Sequence, residues 1–119
     1  MPHFMLILYR TKEMQERLAN FTDEDMQQAG RRYQEWAAGL QSRDQYLGGA
    51  SLAPAQGKVL NGAAGEMQIM DGPFSETKEL VGGYFLITAD SYDHACEITR
   101  TCPQLGFGGA VEIRQVDGL

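Results

Sequence analysis

"MDGPFSETKELVGGYFLIT", residues Met70 to Thr88, holds the features on which the fold turns. An Asp-Gly-Pro-Phe turn and a charged patch of Glu76, Lys78 and Glu79 lead through Gly82 and Gly83 into an apolar run. From Tyr84 to Ile87 successive residues are apolar, so a strand over Tyr84 to Thr88 would carry apolar side chains on both faces. The start of the chain repeats the pattern. Phe4 to Tyr9 reads Phe-Met-Leu-Ile-Leu-Tyr, rich in strand formers and closed by Arg10. Strands of this kind need cover on both sides.

Helices supply one cover. Thr22 and Asp23 are N-cap candidates, and Asp23, Glu24 and Asp25 suit the positive end of a helix dipole. Met26, Ala29, Gly30, Tyr33, Trp36, Ala37 and Leu40 then recur at helical spacing, which predicts an amphipathic helix from about Asp23 to Ser42. Gly30 costs that helix up to about 1 kcal/mol against Ala, and reads as a place where the helix packs closely on a sheet. A second helix starts at a cap on Asp90 or Ser91, turns Ala95, Ile98, Thr99 and Cys102 inward, and stops at Pro103.

The remaining segments are strands and connections. Residues 11–21 read as a polar connection with weak helical character, and residues 103–109 as a loop. A second strand runs within Asp44 to Pro54, weakened by Gly48 and Gly49. Lys58 to Leu60 and Glu66 to Met70 are short strand pieces around the Asn61-Gly62 turn signal. In the last strand, Ala110 to Val116, Val111 and Ile113 alternate with Glu112 and Arg114. Two βαβ halves with an antiparallel middle give an α+β, ferredoxin-like split βαβ protomer. Its helices cover one sheet face only. A bare second face would be a large apolar patch, so a second copy packed sheet against sheet is expected, as an obligate homodimer.

Composition bounds the function. A chain of 119 residues, 43% of them hydrophobic, fits one domain over residues 1–119. Its formal net charge is −6, and its ten Lys and Arg residues are scattered, so no basic stripe offers itself to nucleic acid. No apolar run approaches the roughly 18 residues of a membrane span. The start lacks the basic segment and cleavage site of a signal peptide. Cys96 and Cys102, six apart in the expected second helix, cannot bridge one another. Nothing favours an oxidising compartment, so the cytoplasm is expected.

The candidate chemistry gathers around the opening stretch. Asp71, at a strand end held by the rigid Gly72-Pro73 turn, suits either a general base in a half-buried cleft or an Asx-type turn residue. Phe74 suits an interface filler or a ligand platform. Glu76 and Lys78, with Glu79, suit a solvated surface, interprotomer ion pairs or contacts to a polar ligand. Tyr9 and Arg10, leaving the first strand, and Arg114, on the last, are candidates to reach the same cleft, where a guanidinium would hold a carboxylate. Gly82-Gly83 does not lead a strand into a helix N-terminus, so it is no phosphate loop; a bulge or close backbone approach is expected instead. His3 and His94 lack metal-ligand spacing with the cysteines. Neither cofactor nor metal is expected.

The chain also resembles a known family. "MDGPFSETKELVGGYFLI", "SYDHACEITRTCP" and the terminal "VEIRQV" are similar, in order and spacing, to the YCII-related or DGPF-domain family. The resemblance covers about His3 to Val116 and implies a dimeric α/β barrel. Gln115 stands where the family usually has proline. The family has no assigned activity. Many bacterial members are encoded near extracytoplasmic-function sigma factors, which implies a regulatory setting. Related YCII proteins carry a His-Asp pair proposed as an active site, and a few relatives of the fold are lyases or isomerases. Here the corresponding helix offers Arg31, Arg32 and Tyr33 where that histidine is expected. The expectation is therefore a dimeric protein that binds a small organic ligand in the cleft between its two sheets, or regulates, without turnover. The alternatives are a lyase or isomerase using Asp71 in a dimer cleft, and an interaction module linked to a sigma factor.

Overall fold

The computed structural model describes residues 1–53, 57–62, 65–72 and 80–118. Its elements are β1 (His3–Arg10), α1 (Lys12–Leu18), α2 (Asp23–Ser42), β2 (Tyr46–Ser51), β3 (Lys58–Asn61), β4 (Gln68–Asp71), β5 (Leu80–Thr88), α3 (Tyr92–Thr99), α4 (Pro103–Gly106) and β6 (Ala110–Gln115). β2, β5, β1 and β6 form one sheet in that order, while β3 and β4 pair in a separate two-stranded sheet. Each neighbour in the larger sheet is antiparallel. With the β3–β4 pair inserted between its halves, this is the split βαβ, ferredoxin-like arrangement expected from the strand and helix order.

Local chemistry sets the helix ends. In a capping box at the start of α2, the Asp25 N–H donates to Thr22 Oγ1 at 3.1 Å and the Thr22 N–H donates to the Asp25 carboxylate at 3.0 Å. The predicted bounds of this helix match the structure. Ser91 caps α3, accepting the His94 N–H at 3.1 Å. Residues 12–18, read from sequence as a polar connection, are helix α1. Thr11 accepts the Met14 N–H, Glu13 pairs with Arg17 one turn later, and Met14 is buried. The predicted loop at residues 103–109 opens with the single turn α4, which Pro103 begins rather than prevents. α3 itself ends at Thr99, so Cys102 lies beyond it, at the N-cap of α4, and the cysteines do not share a helix.

Alternation along the strands defines two faces. Phe4, Leu6 and Leu8 of β1 and Phe85 and Ile87 of β5 point toward the helices, where they join Leu40, Ala89, Ala95 and Cys102 in the core. Full burial of each large apolar side chain is worth about 1.5–3 kcal/mol. Leu6 and Phe85 thus face this chain's own helices. The opposite face carries Met5, Ile7, Tyr84 and Leu86, all half-buried, with Met5 paired to Leu86 and Ile7 to Tyr84 across the strands. Val111 and Ile113 of β6 pack on the core, leaving Glu112 and Arg114 on the outer face. In the smaller sheet, Leu60, Ile69 and Met70 are exposed.

Candidate functional site

Between the sheet and α2 lies a cavity of about 440 Å³, within the size range of small-molecule sites. Its walls are mostly apolar, with Leu8, Met14, Leu18, Met26 and Phe85 among them. Gly30 also lines it, and a Cβ there would meet nothing within 4 Å. The close helix–sheet contact expected at Gly30 is therefore absent; the missing side chain borders open space.

The polar groups on the wall are set by the strand pattern and by one irregularity. Arg10 ends β1 at a position of the same parity as Leu6 and Leu8, so it continues the inner face. Leu8 pairs with Gly83 but Tyr9 with Val81, which leaves Gly82 as an extra residue in a bulge. A Cβ on Gly82 would stand 2.8 Å from Arg10 Nε and 3.1 Å from its Cγ. The glycine gives the Arg10 stem its path along the sheet. The bulge and close approach read from Gly82-Gly83 thus coincide at the cavity.

Tyr33 and Gln104 stand in the same wall. The Tyr33 hydroxyl donates to Gln104 Oε1 at 2.6 Å. Gln104 Nε2 donates to the Tyr9 carbonyl at 2.8 Å and lies 3.3 Å from Met14 Sδ. Gln104 is 3% exposed, so α4, a helix of one turn, is anchored by a buried amide with both ends bonded. Burial first, then the nearby Cys102, pushes the Tyr33 phenol well above the usual tyrosine range, while Arg10 opposes the shift. The phenol stays protonated and acts as a donor. Phe107 stacks on Tyr33 with ring centroids 6.0 Å apart, and the Arg32 guanidinium lies 5.8 Å from the Phe107 centroid on its other surroundings.

Cys102 is buried close by, and burial raises its thiol to about 11. A thiol held protonated in this way is a poor nucleophile. His94 serves its own helix: its Nδ1 accepts the Asp90 N–H at 2.9 Å. Among the described residues no three His, Cys, Asp or Glu side chains come together as a metal site.

The residues singled out from sequence fall in different places. Arg10 lines the cavity. Tyr9 and Arg114 lie on the opposite sheet face, where the Tyr9 hydroxyl donates to Glu112 at 2.8 Å and Arg114 stands 3.6 Å from the same carboxylate. Only the Tyr9 backbone reaches toward the cavity side, through its bond from Gln104. Asp71 ends β4, is exposed, and pairs with Lys58 across the hairpin, away from the cavity wall. Phe74, Glu76 and Lys78 lie outside the described residues. Sequence reasoning missed Gln104 altogether and placed Tyr33 in a helix stripe, naming it otherwise only with Arg31 and Arg32 where the family's histidine is expected. Nothing local marks either one.

Comparison with known proteins agrees with this architecture. Among solved structures, 5-chloro-2-hydroxyhydroquinone dehydrochlorinase from Burkholderia phenoliruptrix AC1100, in complex with 2,5-dihydroxybenzoquinone, superposes with a TM-score of 0.53. The match covers 98% of this chain and 94% of that one at 14% identity, a likeness of fold. Among curated sequences, an uncharacterized protein of Rhizobium meliloti (strain 1021), R00369, is 49% identical over 52 residues. That match spans 43% of this chain and 42% of the relative, so less than half of either is aligned. The sequence profile of the YCII-related domain matches residues 3–117, the span that runs from the start of β1 past the end of β6. By that match this chain belongs to the YCII-related domain family.

Proposed function

We propose that this protein binds a small organic molecule in the cavity between the sheet and α2 and does not transform it. The observation that carries the reading is the cavity wall itself, about 440 Å³ of mostly apolar surface with Arg10, Tyr33 and Gln104 set into it. Among the described lining residues there is no carboxylate, imidazole, amine or thiol to move a proton, and Tyr33 is held as a neutral phenol. Such a wall orients a ligand better than it catalyses a reaction. The fold neighbour, named as a dehydrochlorinase, is a structure in complex with a small ring compound, which is in keeping with a ligand of this size.

The rest of the reading is assembled around that site. The outer face of Met5, Ile7, Tyr84 and Leu86 suits a homodimer joined sheet to sheet. A regulatory setting linked to a sigma factor is the context that the family resemblance implies, and a cytoplasmic location follows from the absence of any feature that favours an oxidising compartment. An enzyme with Asp71 as its base requires the β3–β4 hairpin to deliver that carboxylate to a cavity; within the protomer it is paired with Lys58 instead.

A fragment screen followed by amide chemical-shift mapping tests the binding reading. Bound fragments are expected to shift residues of β1, α2 and α4 around the cavity, and Gly30→Trp, which projects a ring into that space, should abolish the shifts. Binding that survives Gly30→Trp, or shifts confined to the outer sheet face, would overturn it.

A further inference from the structure

We infer that the cavity is built for an organic anion on a single ring, a carboxylate in the first instance, held by Arg10. This deepens the binding reading above and rests on it. The observation behind it is a difference between the polar groups of the wall. Tyr33 and Gln104 spend their hydrogen bonds on each other, on the Tyr9 carbonyl and on the Met14 sulfur. Arg10 does not. Among the described residues its guanidinium has neither an ion-pair partner nor a hydrogen-bond acceptor, although the guanidinium groups of Arg17, Arg100 and Arg114 each stand beside a carboxylate.

That isolation matters because the chain is acidic overall, with 16 Asp and Glu against 10 Lys and Arg. A permanent cation beside a mostly apolar wall, without a carboxylate of the described residues beside it, suits a negatively charged ligand group. The guanidinium presents a planar fork of donors that matches a carboxylate in two-point contact. Its stem is held against the sheet by the bulge at Gly82, so little side-chain freedom remains to be lost on binding. The body of the ligand is set by the other walls. Tyr33, Tyr46, Phe85 and Phe107 bring four aromatic rings to the cavity, surfaces that suit offset or edge-on contact with a further ring. The protonated Tyr33 phenol adds no negative charge to oppose the anion.

Benzoate, benzamide and benzylamine, which share one ring and differ in charge, test the inference by calorimetry on the full chain. Trp36 emission provides a second readout, since the indole packs edge-on against Phe85 at 5.2 Å and Phe85 lines the cavity. Benzoate is expected to bind about 10- to 100-fold more tightly than benzamide, the range of a charge-assisted contact, and benzylamine not at all. Arg10→Met, which keeps the aliphatic stem, should lower benzoate affinity to that of benzamide while leaving benzamide nearly unchanged. Gly82→Ala keeps the charge but displaces it, and should lose most of the same preference even if Arg10→Met folds poorly. Equal binding of benzoate and benzamide, both abolished by Gly30→Trp, overturns the anion inference and leaves the cavity reading standing. Binding of neither at millimolar concentration, or binding indifferent to Gly30→Trp, overturns both.

Discussion

Replacing Gln104 by Leu isolates the buried amide that ties α4 to the rest of the wall. Leu is close to Gln in volume, so packing beside Met14 is largely kept and the loss is polar. The substitution removes the bond from Gln104 Nε2 to the Tyr9 carbonyl, 2.8 Å long, and takes its acceptor from the Tyr33 hydroxyl, which donates to Gln104 Oε1 at 2.6 Å. Gln104 itself is only 3% exposed, so its amide is not readily replaced by water. Each buried group left unpaired costs about 1–3 kcal/mol. Gaining an apolar side chain offsets part of that, while the lost bond to Tyr9 adds to it, so the expected net loss is about 1–3 kcal/mol. Against a typical total of about 5–15 kcal/mol this is a large fraction. Tyr33→Phe removes one donor and should cost about 1 kcal/mol, because only Gln104 Oε1 is orphaned. Urea titration followed by Trp36 emission measures both, and the double variant closes the cycle. If the two residues form one network, the double variant is less destabilised than the sum by about 1 kcal/mol. A loss under about 0.5 kcal/mol for Gln104→Leu, or strict additivity with Tyr33→Phe, would refute the network.

Three further outcomes are expected. The Cys102 thiol keeps its proton in the folded chain up to about 11, against an ordinary value of 9.0, so above pH 9 the unfolded chain binds fewer protons and stability falls as pH rises. Over that window the loss from Cys102 approaches about 3 kcal/mol, Cys102→Ala should remove it between pH 9 and 10, below the range in which the raised Tyr33 phenol adds a loss of the same sign, and a urea midpoint that rises from pH 9 to 10.5 would contradict the assignment. Asp71→Asn breaks only an exposed pair with Lys58 and should change stability by less than about 1 kcal/mol; loss of benzoate binding in this variant would instead place the carboxylate at the site. On the outer face, Leu86→Asp should yield monomers by light scattering where the parent chain gives dimers, while far-UV circular dichroism is retained; a parent chain that is monomeric at micromolar concentration would remove the sheet-to-sheet dimer.

What the sequence determined by itself is local or strictly periodic. The cap at Thr22, the acidic first turn and the stripe from Met26 to Leu40 delimit α2 because each acts within a turn or two of chain. The apolar runs of β1 and β5 announce strands with apolar side chains on both faces because side chains alternate with a period of two. The element order then leaves few sheet arrangements open. Short helices escaped this reading. α1 depends on Thr11, whose hydroxyl donates to the Gly108 carbonyl far along the chain, and α4 on Gln104, bonded to residues 71 and 95 positions away. Such partners exist only once the sheet has assembled. The site divides in the same way. Arg10 was legible as a strand-end charge, yet its turn into the cavity follows from strand parity and the Gly82 bulge, whereas Tyr9, its neighbour, is turned by the same alternation to the other face. Asp71 drew attention through its rigid turn, and cross-strand pairing gave it Lys58. A side chain's identity is written in the chain; its partners are decided by register, because a shift of one residue moves it to the opposite face of the sheet.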